Sequence, residues 1–347
     1  MNKRGLASDN YAGALPEMIE AINECNVKHA RSYGYDTFTK KAVNEFKKAF
    51  GSGIDVSFVF NGTGANVLGV SCVTQSFNGV LCADTSHLYV DESTAPEVFT
   101  GCKFFPLKTN GEGKIIPETI KKALIRRGDE HHPQINILSI TQPTEYGTVY
   151  SLEELSRIGE VLKEENIIFH MDGARIYNAA ISLGCTFREM TKDVGVDILS
   201  MGGTKIGLLF GEAIVFLNRK LSGNLKYKQK QSMQLPSKMR FISAQFLRLL
   251  KDEVWKRSAS HSNKMAQKLY NEIKGVSRIK ITKPVQSNVV FATIPKEWNT
   301  PLIKHTPFYV WREETNELRL MCSFDTTDND IENFVDLIKK LAKSGCS

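Results

Sequence analysis

A lone lysine among glycines is the first hint of chemistry. In Asp197-Ile198-Leu199-Ser200-Met201-Gly202-Gly203-Thr204-Lys205-Ile206-Gly207, a buried-strand pattern ends in small residues, and Lys205 follows with little nearby to pair with. Its small neighbours leave room for a large planar ligand. A second segment, Ile167-Ile168-Phe169-His170-Met171-Asp172-Gly173-Ala174-Arg175, ends its apolar run in Asp172, with Arg175 three positions on. A third, Phe60-Asn61-Gly62-Thr63-Gly64-Ala65-Asn66, passes from a strand into a Gly/Thr turn and then a helical pattern. Glycines admit close backbone approach, and amides at a helix start are donors for a phosphate. The fourth, Asp84-Thr85-Ser86-His87-Leu88-Tyr89, puts His87 just past a short strand, where its ring could stack on a flat ligand.

Each segment also has a plain structural reading. Asp-Gly is a common turn pair, an isolated histidine is more often structural, and the glycine turn lacks both the P-loop lysine and the dinucleotide spacing. In combination they match pyridoxal phosphate, which needs an amine for its aldehyde, a carboxylate for its pyridine nitrogen, donors for its phosphate and a group covering its ring. Lys205, Asp172, the Gly62-Thr63-Gly64 turn and His87 can supply these, so a Schiff base on Lys205 is expected.

Positioning such groups takes a sheet whose strands end side by side. From residue 54, short β-branched or aromatic runs (56–60, 79–82, 135–140, 167–170, 198–200, 213–216) alternate with helical patterns such as 152–164. That alternation predicts an α/β fold with a mostly parallel sheet covered by helices on both faces, and ligands in such sheets sit beyond the carboxyl ends of the strands. Helices are expected over 15–26 and 37–50. A long amphipathic helix from about Val254 to Gly275, strands near 288–293, 308–311 and 317–321, and a closing helix from Asp328 predict a small α+β carboxy-terminal domain. The expected organisation is an arm over 1–15, a large domain over 16–240 and a small domain over 241–347.

The 347 residues, 41% hydrophobic, suffice for a sizeable core. No run of 18 apolar residues is present, and no apolar stretch follows the basic residues near the amino terminus, so an intracellular, cytoplasmic protein without a membrane role is expected. Seven single cysteines (Cys25, Cys72, Cys82, Cys102, Cys185, Cys322, Cys346) form no CxxC pair and read as reduced thiols, with no metal site. The net charge of +7 is spread along the chain apart from Arg219 to Lys230, which reads as a solvated face and not as a nucleic-acid site.

The motifs resemble those of the low-specificity L-threonine aldolases, within the aspartate-aminotransferase-like group (fold type I) of pyridoxal-phosphate enzymes. The resemblance runs from Leu6-Ala7-Ser8-Asp9-Asn10 through Tyr33-Gly34-Tyr35-Asp36, NGTGAN, SHLY, HMDGARIYNA and the GGTK lysine to Met239-Arg240 and Glu317-Leu318-Arg319-Leu320. It implies a seven-stranded large-domain sheet and a retro-aldol cleavage of a β-hydroxy-α-amino acid to glycine and an aldehyde. It also implies roles by position. Lys205 bonds the cofactor, Asp172 pairs with the pyridine nitrogen, Arg175 lies near the phenolic oxygen, Gly62 and Thr63 bind phosphate, and Ser8 and Arg319 hold the substrate carboxylate. Arg240 is expected to reach the cofactor phosphate and Tyr33 the substrate, both across a subunit interface in a homodimer or homotetramer, and Glu145 is expected in the substrate pocket.

Two departures from that pattern bear on the pocket. Similar aldolases often carry a second histidine in the loop that here reads Thr141-Gln142-Pro143-Thr144-Glu145-Tyr146-Gly147-Thr148, where this chain has Glu145, and relatives commonly show a glutamate followed by glycines where Asp91-Glu92-Ser93-Thr94 stands. His87 is the first candidate for the base that takes the β-hydroxyl proton. The alternatives are another lyase or an aminotransferase on the same scaffold, or a non-catalytic relative, for which Lys205 and Asp172 would have no chemical use.

Overall fold

The structure, a computed structural model, describes residues 4–344. Seven strands form the large sheet: β1 (Asp55–Val59), β2 (Asn78–Ala83), β3 (Lys103–Leu107), β4 (Gln134–Thr141), β5 (Ile168–Gly173), β6 (Ile198–Met201) and β7 (Glu212–Phe216), in the order β1-β7-β6-β5-β4-β2-β3. β6, β5, β4, β2 and β3 run parallel, and β7 is antiparallel to both its neighbours. The central strands are apolar on both faces because helices cover both. The α/β class with a mostly parallel seven-stranded sheet is therefore the one the chain adopts.

Local chemistry sets the element ends. Ser151 accepts the Glu154 amide and Glu154 returns a bond to the Ser151 amide, a capping box that starts the helix Leu152–Glu164. Asp36 caps Thr37–Phe50 through the Thr39 amide, and that helix buries Ala42, Phe46 and Phe50 against the sheet core. β3 is not among the expected strands: it is a five-residue edge strand, KFFPL, whose aromatic pair is cut short by a proline that an edge tolerates.

A second, antiparallel sheet, in the order β10-β11-β9-β8, comprises β8 (Lys280–Ile281), β9 (Val289–Thr293), β10 (Tyr309–Arg312) and β11 (Glu317–Met321). Its core includes Val290, Leu318, Leu320, Phe334 and Ile338, and Leu6 from the amino-terminal arm. Apolar residues of Arg240–Lys251, among them Ile242, Phe246 and Leu249, pack into the large sheet's core. The helix Val254–Ile273 serves both cores, with Val254, Trp255 and Ala259 in the first and Met265, Leu269 and Ile273 in the second. Among the described residues, no helix is long and apolar enough to cross a membrane. Six cysteines are free thiols, and Cys346 lies outside the described residues.

Candidate active site

Side-by-side strand ends create the site. A cavity of about 250 Å³ opens where β1, β2, β4, β5 and β6 finish, and its lining includes Thr63, His87, Glu145, Asp172, Arg175 and Lys205. Lys205 sits in a single 3-10 turn, Thr204–Ile206, immediately after β6. Because β7 runs the other way, its first residue, Glu212, lies at the same edge and lines the same cavity.

Asp172, at the end of β5, is buried. Its Oδ1 accepts the Ala174 amide at 2.9 Å and its Oδ2 accepts Asn66 Nδ2 at 2.9 Å, which fixes the carboxylate plane. The helix Gly62–Ser71 points its start at the cavity. Asn61 caps it by accepting the Gly64 amide on Oδ1 at 2.7 Å and the Ala65 amide on its carbonyl, so the Gly62 and Thr63 amides are the ones left for an anion. Gly64 plays a different part from Gly62 and Thr63: it does not line the cavity, and a Cβ there would run into the side chain of Gln234.

Burial drives Glu212 up to about 7, against the opposing pull of a Thr204 hydrogen bond and the Lys205 charge. Its carboxylate accepts the Gly203 amide and, at 3.4 Å, the Thr204 amide, gripping the segment that carries Lys205. Arg175 is held by Asp9 in a two-point ion pair, Nε to Oδ2 at 2.6 Å and Nη2 to Oδ1 at 2.9 Å. Burial opposes ionisation of Asp9, but the charge and hydrogen bonds of Arg175 outweigh it and hold the carboxyl below its ordinary value. His87 Nδ1 lies 2.9 Å from Glu92 Oε1, a contact that raises the imidazole's affinity for a proton against the effect of burial.

Ser8 and Arg319 are not among the residues that line this cavity, although the charges of Arg175, Glu145 and Asp9 act on Arg319. Ser8 lines a neighbouring cleft of about 850 Å³, and Arg319 Nη2 reaches within 3.5 Å of the Ala7 carbonyl. The Arg319 guanidinium stacks over Trp311 at 4.9 Å and Tyr309 at 5.6 Å, and its Nε is buried without a hydrogen-bond partner. Burial first, and the Arg175 charge second, hold Arg319 below its ordinary value, and the charge of an anion arriving there would offset both. Tyr33 and Arg240 do not join them. Tyr33 is exposed beneath Lys230, and Arg240 lines a separate surface hollow with Lys28 and Arg31.

Residues 5–296 match the beta-eliminating lyase family, over most of the chain. The chain belongs to that family. Proteins similar to it include a low specificity L-threonine aldolase of a Pseudomonas species, 41% identical over 93% of each chain, and one of Pseudomonas aeruginosa, 39% identical over 96% of each. A Leishmania major threonine aldolase superposes with a TM-score of 0.92 at 27% identity, covering 98% of this chain and 100% of that one. The resemblance carried by the motifs is thereby borne out.

Four site residues escaped the motif reading: Asp9, Asn66, Glu92 and Glu212. The first two stand inside motifs already noticed, SDN and NGTGAN, and Glu92 inside a noted departure. Glu212 begins a strand, and a search of the residues that follow strands misses it unless one strand is known to run backwards.

Proposed function

We propose that this protein is a pyridoxal-phosphate-dependent aldolase that cleaves L-threonine, L-allo-threonine or a related β-hydroxy-α-amino acid to glycine and an aldehyde. The observation that carries the reading is the convergence of Lys205, Asp172, the Gly62 and Thr63 amides and His87 on one cavity, in a chain 41% identical to a low specificity L-threonine aldolase.

The donor set fits the cofactor. Lys205 offers an amine with no ion-pair partner among the described residues, Asp172 a buried carboxylate held rigid by Asn66 and Ala174, and the helix start two amides for the phosphate. When bound, pyridoxal phosphate supplies a sink for the electron pair left on Cα as the Cα–Cβ bond breaks.

The chain's own residues do the rest. Lys205 would hold the cofactor through its amine, and Asp172, fixed by Asn66 and the Ala174 amide, would pair with the pyridine nitrogen. Arg319, stacked between aromatic rings, takes the substrate carboxylate with its planar fork, assisted by Ser8, and so orients the Cα–Cβ bond. His87, which lines the same cavity, would cover the ring and accept the β-hydroxyl proton. Glu145, in the loop after β4, faces the side chain of the substrate.

Tyr33 and Arg240 complete the site from a second copy of the chain, in a homodimer or homotetramer. Their distance from the cavity within one chain and the exposure of Phe60, Tyr89, Leu209 and Met233 support this. The free thiols, all but Cys185 buried among the described residues, fit a cytoplasmic setting.

An absorbance spectrum before and after borohydride, followed by L-threonine and L-allo-threonine with aldehyde detection, tests the reading. Bound cofactor that borohydride fixes to the protein, with acetaldehyde and glycine produced, is expected. Bound cofactor without aldehyde would move the function to another lyase or an aminotransferase, and no binding of added cofactor would overturn the reading.

A further inference from the structure

His87 and Asp172 stand on different strand ends, and two buried side chains join them. Asn66 Nδ2 donates to Glu92 Oε1 at 2.8 Å and to Asp172 Oδ2 at 2.9 Å. The same Glu92 Oε1 lies 2.9 Å from His87 Nδ1. A primary amide has two hydrogens to give, and Asn66 spends both on these carboxylates. An ionised carboxylate can only accept, so in its contact with Glu92 the proton belongs on Nδ1.

Structural need alone does not account for this glutamate. Its side chain is fully buried, and Oε2 has no hydrogen-bond partner, nor does Asn66 Oδ1. Burying a carboxylate costs several kcal/mol, and a glutamine would make the same two contacts for less. A charge kept at that cost is worth most where a neighbouring group gains positive charge during the reaction. The imidazole is that group, being 37% exposed at the cavity.

We propose that Glu92 is a positioning residue for His87: it accepts the Nδ1 proton, fixes the tautomer and ring orientation, and leaves the Nε2 lone pair to take the substrate's β-hydroxyl proton. The proposal rests on the aldolase reading and on His87 as its base. As the O–H proton moves to Nε2, the C–O bond becomes a carbonyl, the Cα–Cβ bond breaks with its electron pair on Cα, and the imidazolium is balanced by Glu92. That proton, or one exchanged with water, then completes glycine at Cα. The acidic groups that raise the proton affinity of His87 are Glu92 from its own turn, Glu145 from the loop after β4 and Asp172 from the end of β5, with the Glu92 contact the largest, while Arg175 and Lys205 line the same cavity with the opposite charge. Asn66 keeps the two carboxylates it bridges from repelling each other freely.

Glu92→Gln preserves size and an acceptor but removes the charge. In holoenzyme carrying 15N-labelled histidine, with His87 assigned by its loss in His87→Phe, the wild type is expected to hold the proton on Nδ1 and to titrate at Nε2. In Glu92→Gln the His87 midpoint should fall by roughly one pH unit, and the acidic limb of kcat/KM should fall with it. At neutral pH kcat should drop about 10-fold or more, with KM for the amino acid little changed. If the glutamine variant does not fold, Glu92→Asp, which withdraws the charge, should also lower the midpoint. A His87 midpoint unmoved by the substitution would overturn the proposal. A moved midpoint with an unmoved pH profile would instead overturn His87 as the base, and with it this use of Glu92, while aldehyde release itself reports separately on the aldolase reading.

Discussion

The Arg175 guanidinium is gripped along one edge by Asp9, at 2.6 and 2.9 Å, and Asn288 Nδ2 reaches the same carboxylate at 3.3 Å. One buried ion pair thus ties the amino-terminal arm, the end of β5 and the start of β9 together at the cavity. Removing one partner of a buried pair strands the other. Asp9→Ala is expected to lower unfolding free energy by about 3 kcal/mol and to weaken cofactor binding, as read by urea titration and cofactor fluorescence. Since the Asp9 carboxyl lies below its ordinary 3.8, the pair's contribution is present above that pH and is lost as pH falls through the lower folded value.

Glu212 works with the opposite sign. Its folded value of about 7 stands above the ordinary 4.5, so the folded state binds a proton more tightly. The associated stability is fully present below 4.5 and is lost as pH rises through 7, a change on the order of 3 kcal/mol. Thermal denaturation between pH 5 and pH 8, on the order of a three-unit window around that value, is expected to show a smaller drop in Tm for Glu212→Gln than for wild type.

Lys205→Ala is expected to abolish turnover and the borohydride-fixed cofactor while leaving the fold intact. Lys205 has no ion pair among the described residues whose loss would strand a charge. Circular dichroism beside an aldehyde assay separates the two effects.

Arg319→Ala removes the carboxylate grip but not the cavity. KM for the amino acid is expected to rise about 10-fold or more, given a charge-assisted contact of roughly 1.5–3 kcal/mol. Cofactor absorbance should be unchanged. Trp311→Ala, which takes away the ring 4.9 Å from that guanidinium, should give a smaller rise in KM.

Gly202 offers a packing test. A Cβ there would meet the Ala174 carbonyl oxygen, and that backbone belongs to the Asp172 turn, while the Gly202 amide donates to the Gly173 carbonyl at 3.0 Å. Gly202→Ala is expected to push the Asp172 and Lys205 segments apart, costing at least about 1 kcal/mol of stability and more than 10-fold in kcat, measured by unfolding and by steady-state kinetics.

Much of this protein was legible in its residues. The strand and helix alternation from residue 54, the Asp172 and Lys205 segments at strand ends and the NGTGAN turn depend on local periodicity and local turn chemistry, which a linear sequence records. β3 was less legible because Pro106 cuts its short aromatic run, a residue that an edge strand admits. What only the tertiary structure decided are relations between segments far apart in the chain: the reversal of β7 that brings Glu212 beside Lys205, Asp9 locked onto Arg175, and Asn66 and Glu92 linking Asp172 to His87. Burial and charge act through space. A glutamate's proton affinity, or a histidine's tautomer, is settled by which groups the fold packs against it and not by its neighbours in sequence.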